Sequence, residues 1–257
     1  MGMTFAEKVL AKKAGLDTVV PGQIVSVKPD RLLTHDNTAA IIGKVKDELE
    51  KYGVANPAVP AIVIDHVAPA ANEKTATNHQ KIREFVTKHK IENFYDVGEG
   101  VCHQVLYEKG LVGPGMVCVG SDSHTCSYGA VGAFATGIDR TEAAALMLTG
   151  ETWFRVPPTI KVTVKGSLPK GVTAKDLVLT IIGDIGADGA SYCAVEFHGD
   201  IKNLSMDDRF VIANMGIEMG AKIAAFPVDE KAKKFLESVG VKDFETQWAD
   251  SDAKYMK

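Results

Sequence analysis

The sequence has little of the features that mark membrane, secreted or nucleic-acid-binding proteins. Its 257 residues contain no run of about 18 apolar residues, the length that crosses a bilayer. The opening segment Met1–Lys8 lacks the apolar stretch of a secretory signal, so none is expected. Cysteines are few and never form a C-x-x-C pair, which argues against a zinc ribbon or a disulfide framework. We therefore expect a cytoplasmic protein, in a reducing compartment. The four cysteines are Cys102, Cys118, Cys126 and Cys193.

An excess of positive charge is also missing. The chain has 33 acidic and 29 basic residues, which gives a formal net charge of −4. Non-specific binding to nucleic acid needs a basic surface, so neither a nucleic-acid partner nor a membrane is expected. Charged residues make up 24% and hydrophobic residues 46% of the chain, values typical of globular proteins. A disordered chain is therefore excluded.

Short apolar runs alternate with amphipathic helical patterns along the chain. This alternation predicts the α/β class, with three-layer α/β/α domains and mainly parallel sheets. Pro157-Pro158 interrupts the pattern, and a second α/β unit follows. We therefore predict a first domain at residues 1–156 and a second at residues 157–257. Residues 247–257 are polar and are predicted to be a trailing end or linker.

Three further predictions concern where single elements begin and end. The first strand is predicted at Gln23–Val27, and a single helix at Thr38–Tyr52, because its apolar residues fall on one face. A helix is also predicted from Ser205 through Met219. Arg209 on that helix is interpreted as a surface or salt-bridge residue.

Histidines accompanied by carboxylates follow several predicted strands. Ligands of open α/β sheets bind beyond the carboxyl ends of the strands, so side chains there are candidate site residues. An imidazole titrates near pH ~6.5, and a neighbouring carboxylate fixes its tautomer and raises its basicity. Such pairs suit acid–base chemistry on a hydroxy acid, and they also suit a metal site. The segments are His35-Asp36, Asp65-His66, His103 and Asp122-Ser123-His124. The other three histidines (His79, His89 and His198) look ordinary.

Some polar and glycine-rich positions allow two interpretations. Asn214 and Glu218 are four residues apart, so a helix would place them on one face. Their apolar neighbours are compatible with a buried or pocket-facing Glu218, whose pKa desolvation would raise, and equally open is an exposed pair on a solvated face. Ser123 is interpreted as a substrate hydrogen-bond donor, since its neighbour His124 points elsewhere. The glycine-rich segment 129–133 allows either close backbone approach to a ligand or tight packing between elements.

Together, these segments resemble the aconitase superfamily over nearly the whole chain. The similarity is greatest to the branch containing the large subunits of 3-isopropylmalate dehydratase and homoaconitase. Thr34-His35-Asp36 also fits that branch. The motifs that carry the resemblance are Val63-Ile64-Asp65-His66, Gly98-Glu99-Gly100-Val101-Cys102-His103-Gln104, Val119-Gly120-Ser121-Asp122-Ser123-His124-Thr125 and Asn214-Met215-Gly216-Ile217-Glu218-Met219-Gly220-Ala221.

The resemblance implies a hydro-lyase that isomerises a hydroxy-dicarboxylic acid by removing and re-adding water, as in leucine biosynthesis. A [4Fe–4S] cluster with one iron free of cysteine would act as the Lewis acid. Asp65 and His66 would protonate the leaving hydroxyl. The pairs His103 with Asp122 and His124 with Glu218 would orient the substrate and the iron-bound water. The expected pocket residues are His35, Ser123 and Asn214.

The family's cluster cysteines lie in a third domain, and none of the four cysteines here falls in those motifs. We therefore expect no cluster on this chain, no turnover by the chain alone, and a large subunit truncated before that domain. The base and the substrate-selecting loop are expected on a separate small subunit. Three alternatives stay open: a homoaconitase, citramalate or related dehydratase; a non-catalytic scaffold; and a hydrolase whose metal is bound by His66, His103 and His124 with Asp65 and Asp122.

Overall fold

The structure is a computed structural model that describes residues 2–256. Its α-helices are α1 Phe5–Ala14, α2 Thr38–Lys44, α3 Lys46–Tyr52, α4 Glu73–His89, α5 Cys102–Glu108, α6 Arg140–Thr149, α7 Ala174–Ile185, α8 Met206–Asn214 and α9 Glu230–Ser238. Its strands are β1 Ile24–Val27, β2 Arg31–Thr34, β3 Pro60–Val63, β4 Asn93–Tyr95, β5 Val117–Gly120, β6 Phe134–Gly137, β7 Thr152–Arg155, β8 Thr159–Val164, β9 Ala194–Gly199 and β10 Ile223–Ala225. Three 3₁₀ segments cover Ser123–Val131, Ile201–Asn203 and Met215–Met219. No helix within residues 2–256 is long and apolar enough to cross a bilayer.

The largest sheet has five parallel strands in the order β4-β3-β2-β5-β6. Alternate residues of its strands face two separate cores, as the period of two in a strand requires. Leu32 and Val119 pack with α1, α2, α4 and α6, whereas Leu33 and Cys118 pack with α5 and α9. Helices therefore cover both faces of the sheet, and the predicted three-layer α/β class is confirmed.

The central strand of this sheet, β2, was absent from the sequence prediction. The predicted first strand at residues 23–27 corresponds to β1, which pairs antiparallel with β7 in a separate two-stranded sheet. The sequence does not indicate strand β2, because the polar residues Asp30 and Arg31 stand at its start. In the structure the Arg31 guanidinium donates to the carbonyls of Leu111 and Ala58, at 3.1 and 2.5 Å, and so becomes compatible with a central position.

A second sheet contains three parallel strands in the order β10-β9-β8. Its core includes Phe197 and Phe226, whose rings stack with centroids 4.6 Å apart. The strands follow Pro157-Pro158, whereas the later α9 returns to the first sheet, where Tyr107 stacks on Phe235 at 4.3 Å. The domain division at residue 157 stays a prediction.

Two predicted helices are shorter than expected. The helix predicted at 38–52 is two helices, because Val45 adopts φ −131° and ψ 32°. The helix predicted from Ser205 ends at Asn214 and continues as a 3₁₀ turn. Arg209 is fully buried rather than on the surface, and it forms the expected salt bridge, at 2.6 Å from Asp229.

The C-terminal residues have no regular element, yet they are not a free trailing end. The Trp248 ring lies 5.5 Å from that of Phe5. The Tyr255 hydroxyl donates to Glu196 Oε2 at 2.9 Å, and the Met256 N–H donates to the Thr159 carbonyl at 2.8 Å. Only a few residues of this polar segment make such contacts, so its composition does not predict them.

The glycine-rich segment serves packing. A Cβ on Gly129 would lie 1.9 Å from the Ala224 carbonyl oxygen, so only glycine lets the 3₁₀ segment approach β10. The Gly129 carbonyl also accepts from the Phe226 N–H at 2.9 Å. This hydrogen bond joins the 3₁₀ segment after Asp122 to the second sheet. It therefore links the parts of the candidate site that come from the two sheets.

Candidate active site

The candidate site lies where β2, β3 and β5 of the five-stranded sheet end. Because these strands are parallel neighbours, the residues that follow them meet at one edge of the sheet. His35 follows β2, Asp65 and His66 follow β3, and Asp122 follows β5. The sequence prediction placed Asp65, His66 and Asp122 after strands β3 and β5, and His35 after the strand predicted at residues 23–27; the structure brings all four together.

Asp65 and His66 form the first histidine–carboxylate pair. His66 Nδ1 lies 2.6 Å from Asp65 Oδ1, and Asp65 Oδ2 accepts the Cys102 N–H at 2.6 Å. The Asp65 side chain is 6% exposed, whereas that of His66 is 40% exposed. With Nδ1 engaged, His66 has Nε2 free for a ligand, and Asp65 can stabilise the imidazolium.

Asp122 connects three histidines. Its Oδ1 lies 2.7 Å from His103 Nε2 and accepts the His124 N–H at 2.8 Å, while Oδ2 lies 3.8 Å from His66 Nε2. The hydrogen bond with His103 lowers the pKa of Asp122 far below its ordinary value, against the opposing effect of burial. The carboxylate therefore remains ionised among the three rings.

His124 and Glu218 form a third, looser pair across the two sheets. His124 Nε2 lies 3.4 Å from Glu218 Oε1. The Glu218 side chain is 43% exposed, so the expectation of a desolvated carboxylate is wrong; Asn214 is partly buried, so the alternative of an exposed pair is not formed either. The reason is that α8 ends at Asn214, and the 3₁₀ turn that follows presents Glu218 to solvent.

The three residues expected to line the pocket differ in their surroundings. Ser123 is exposed, with its Oγ 3.4 Å from His124 Nδ1. Asn214 donates from Nδ2 to Ser127 Oγ at 2.9 Å, so part of its amide is already engaged within the protein. His35 is buried, and its ring stacks on that of His66 with centroids 3.7 Å apart.

His35 is held in its neutral form. Burial, with the nearby His66, lowers its pKa from 6.5 to about 4. His35 Nδ1 is buried and has no hydrogen-bond partner among residues 2–256. Because this nitrogen is buried, the contact that His35 offers at the site is the stacking of its ring on His66.

The His35 pKa predicts how stability depends on pH. The unfolded chain binds this proton near pH 6.5 and the folded chain only near pH 4, so folding stability present above pH 6.5 is lost as the pH falls. We expect the free energy of unfolding to drop by about 2.5 kcal/mol between pH 8 and pH 4.5 through this group. Urea unfolding of wild type and His35→Gln measures it.

His35→Gln should remove the part of the pH dependence of the unfolding free energy that His35 causes. His89→Gln is the matched control: burial also lowers the pKa of the partly buried His89, so this variant should lose a smaller part of the pH dependence than His35→Gln. An unchanged pH slope in His35→Gln would contradict the assignment.

Sequence reasoning missed two residues, Asp36 and His79. Asp36 was noted only as a neighbour of His35, and His79 was grouped with the ordinary histidines. In the structure His79 is 2% exposed, and its Nε2 lies 2.8 Å from Asp36 Oδ1. Their separation of 43 residues left no local signal.

The ligand set proposed for a hydrolytic metal is not assembled. Among the described residues, the group whose ligand atoms come within 4.8 Å of one another is His35, Asp36, Asp65 and His66, without His103 or His124. Both carboxylates of this group already accept several hydrogen bonds within the protein. The two carboxylates are therefore members of a hydrogen-bond network within the protein rather than free ligands.

Histidine–carboxylate pairs at the carboxyl edge of a parallel sheet define a class of α/β protein suited to proton transfer. Within that class the chain belongs to the aconitase family, whose model (aconitate hydratase) matches residues 7–256.

Curated relatives are similar over almost the whole chain. The 3-isopropylmalate dehydratase large subunit 1 of Methanopyrus kandleri is 47% identical over 256 residues, covering 99% of this chain and 61% of the relative. The 3-isopropylmalate dehydratase large subunits of Clostridium botulinum (strain Eklund 17B) and Aquifex aeolicus are 49% and 46% identical, with 61% and 59% of their lengths covered. The chain thus spans about 60% of the length of these relatives.

Dehydratases of the aconitase family use a [4Fe–4S] cluster, and the cysteines described here do not fit one. Cluster binding requires several converging thiolates. Among residues 2–256, no cysteine shares a group of three candidate ligands. Burial raises the pKa of all four thiols, that of Cys126 to about 12. These cysteines are therefore packing residues.

Proposed function

We propose that the chain carries the histidine–carboxylate part of a 3-isopropylmalate dehydratase active site, and that it handles the protons of a hydro-lyase reaction. The observation that carries this proposal is the convergence of three pairs, Asp65–His66, Asp122–His103 and Glu218–His124, at one sheet edge. The family and the names of its relatives support the reaction class.

His66 is proposed as the acid for the leaving hydroxyl. In dehydration the base on the small subunit removes the carbon-bound proton, the C–O bond breaks, and the hydroxyl takes a proton from His66 Nε2, so the products are water and an unsaturated acid. Asp65, 2.6 Å from Nδ1, stabilises the imidazolium before transfer. In rehydration the same ring takes a proton back from the attacking water.

The other two pairs are proposed to bind and orient the substrate. Asp122 and the Tyr128 hydroxyl engage both ring nitrogens of His103, at 2.7 and 3.3 Å, so this pair is proposed to hold the Asp122 carboxylate in place beside the substrate. Ser123 and His124 place polar atoms side by side, His35 packs against the His66 ring, and Asn214 supports the wall through Ser127. We propose a small hydroxy-dicarboxylic acid as the ligand.

Solvent exposure supports a partner at this site. Side chains of His66, His124 and Glu218 are 37–43% exposed, whereas elimination chemistry benefits from a closed, water-poor site. We propose that a separate small subunit, with the base that removes the carbon-bound proton, closes over these residues. The cluster is proposed to be held by residues other than the four cysteines of this chain.

A chimera tests the proposal. This chain replaces the matching 256 residues of the Methanopyrus kandleri large subunit, which is combined with that organism's small subunit and reconstituted anaerobically with iron and sulfide. We expect interconversion of 2- and 3-isopropylmalate. Homocitrate, citramalate and citrate test the alternative substrates. A folded, cluster-loaded chimera that turns over none of these acids would contradict the proposal and favour a non-catalytic scaffold.

A further inference from the structure

A partly buried carboxylate lies behind the Asp65–His66 pair. Asp36 Oδ2 accepts the N–H groups of Asp65 and His66 at 3.0 and 2.8 Å. Its Oδ1 accepts the Val67 N–H at 3.2 Å and lies 2.8 Å from His79 Nε2. Three consecutive N–H groups after β3 and one ring thus converge on a single side chain.

These contacts determine where the His66 ring lies. Irregular backbone has several accessible conformations, and a carboxylate that binds three successive N–H groups selects one of them. Once the backbone of Asp65 and His66 is fixed, the Asp65 side chain can accept from His66 Nδ1. His79 comes from α4, so it anchors Asp36 to a helix of 17 residues outside the site.

We infer that Asp36 and His79 form a positioning pair, which holds the loop after β3 so that His66 keeps its Nδ1 on Asp65 and presents Nε2 to the ligand. The importance of this pair for catalysis rests on the proposed function. Its structural effect on the His66 ring does not.

The charge of Asp36 supports the assignment. Burial raises its pKa, but the hydrogen bonds from the His66 N–H, His79 and the neighbouring N–H groups outweigh burial and leave the pKa below its ordinary value. An ionised carboxylate only accepts hydrogen bonds, which matches the donors around it. An asparagine would place an amide N–H group against these donors and could not satisfy them all.

The test uses the full chain with ¹⁵N-labelled histidine. Ring nitrogen shifts at pH 8 report which nitrogen of His66 carries the proton, and hydrogen exchange reports the amides of residues 65–67. In Asp36→Asn and His79→Leu we expect loss of the single Nδ1–H tautomer of His66. Exchange of the three amides should be at least about tenfold faster.

Matched variants separate positioning from general damage. Asp96→Asn and His89→Leu change the same residue types at partly exposed sites, and both should leave the His66 tautomer unchanged. His79→Gln keeps a side-chain donor for Asp36 and should restore the tautomer. If Asp36→Asn does not fold, the His79 variants decide.

An unchanged His66 tautomer and unchanged amide exchange in folded Asp36→Asn, or in folded His79→Leu, would overturn the inference. An inactive wild-type chimera is a different outcome, because it would contradict the proposed function and leave the tautomer result unaffected.

Discussion

Asp122→Asn is expected to lower the kcat of the chimeric dehydratase by about 10³, within the range that proton transfer by a positioned side chain contributes. Asp122 contacts His103, the His124 backbone and, at 3.8 Å, His66. The asparagine keeps the size of the side chain but removes the negative charge that holds the His103 ring and the His124 N–H in place. Steady-state kinetics with 2-isopropylmalate measures the effect.

The control for this variant is Asp96→Asn. Asp96 pairs with Arg83 at 2.7 Å, and both side chains are more than 40% exposed. Exposed ion pairs contribute little to stability, so this variant should keep wild-type kcat. If Asp122→Asn lowers kcat by less than about threefold, this loss is far smaller than the expected catalytic contribution, and the role of Asp122 is refuted.

Asp229→Asn is expected to lower the free energy of unfolding by about 4 kcal/mol, because it leaves a buried cation unpaired. Arg209 is fully buried, and its two terminal nitrogens lie 2.8 and 2.6 Å from the Asp229 oxygens. Asp229 is also the N-cap of α9, and asparagine keeps that function. Urea unfolding of the chain measures the change.

Two further variants isolate the charge. Asp139→Asn alters the exposed N-cap of α6, which has no buried cation, and should cost less than about 1 kcal/mol. Arg209→Met combined with Asp229→Asn removes both charges and should recover much of the lost stability. Equal costs for Asp229→Asn and Asp139→Asn would show that the buried pair contributes nothing beyond capping.

The main site residues could be predicted because they depend on local pattern. A short apolar run followed by a histidine and a carboxylate is visible in sequence, and parallel strands necessarily end at one edge. Asp65, His66, His103 and Asp122 were found in this way, and the spacing of four residues from Asn214 indicated Glu218. The roles of these residues stay predictions, because geometry shows contact and not turnover.

Other features depend on contacts between distant residues. The pairing of Asp36 with His79 spans 43 positions, and neither residue stands out locally. Strand β2 was missed because Arg31 looks exposed until the carbonyls of Leu111 and Ala58 surround it. The exposure of Glu218 depends on the end of α8 at Asn214, which apolar periodicity does not indicate.

The most direct test of the proposed chemistry follows oxygen at the leaving hydroxyl. The chimera is incubated with 2-isopropylmalate in H₂¹⁸O, and incorporation of ¹⁸O into the hydroxyl is measured for wild type, His66→Gln and His89→Gln. We expect His66→Gln to reduce the rate of ¹⁸O incorporation about 10³-fold and His89→Gln to leave this rate unchanged. Incorporation at the wild-type rate in His66→Gln would contradict the assignment of His66 as the acid.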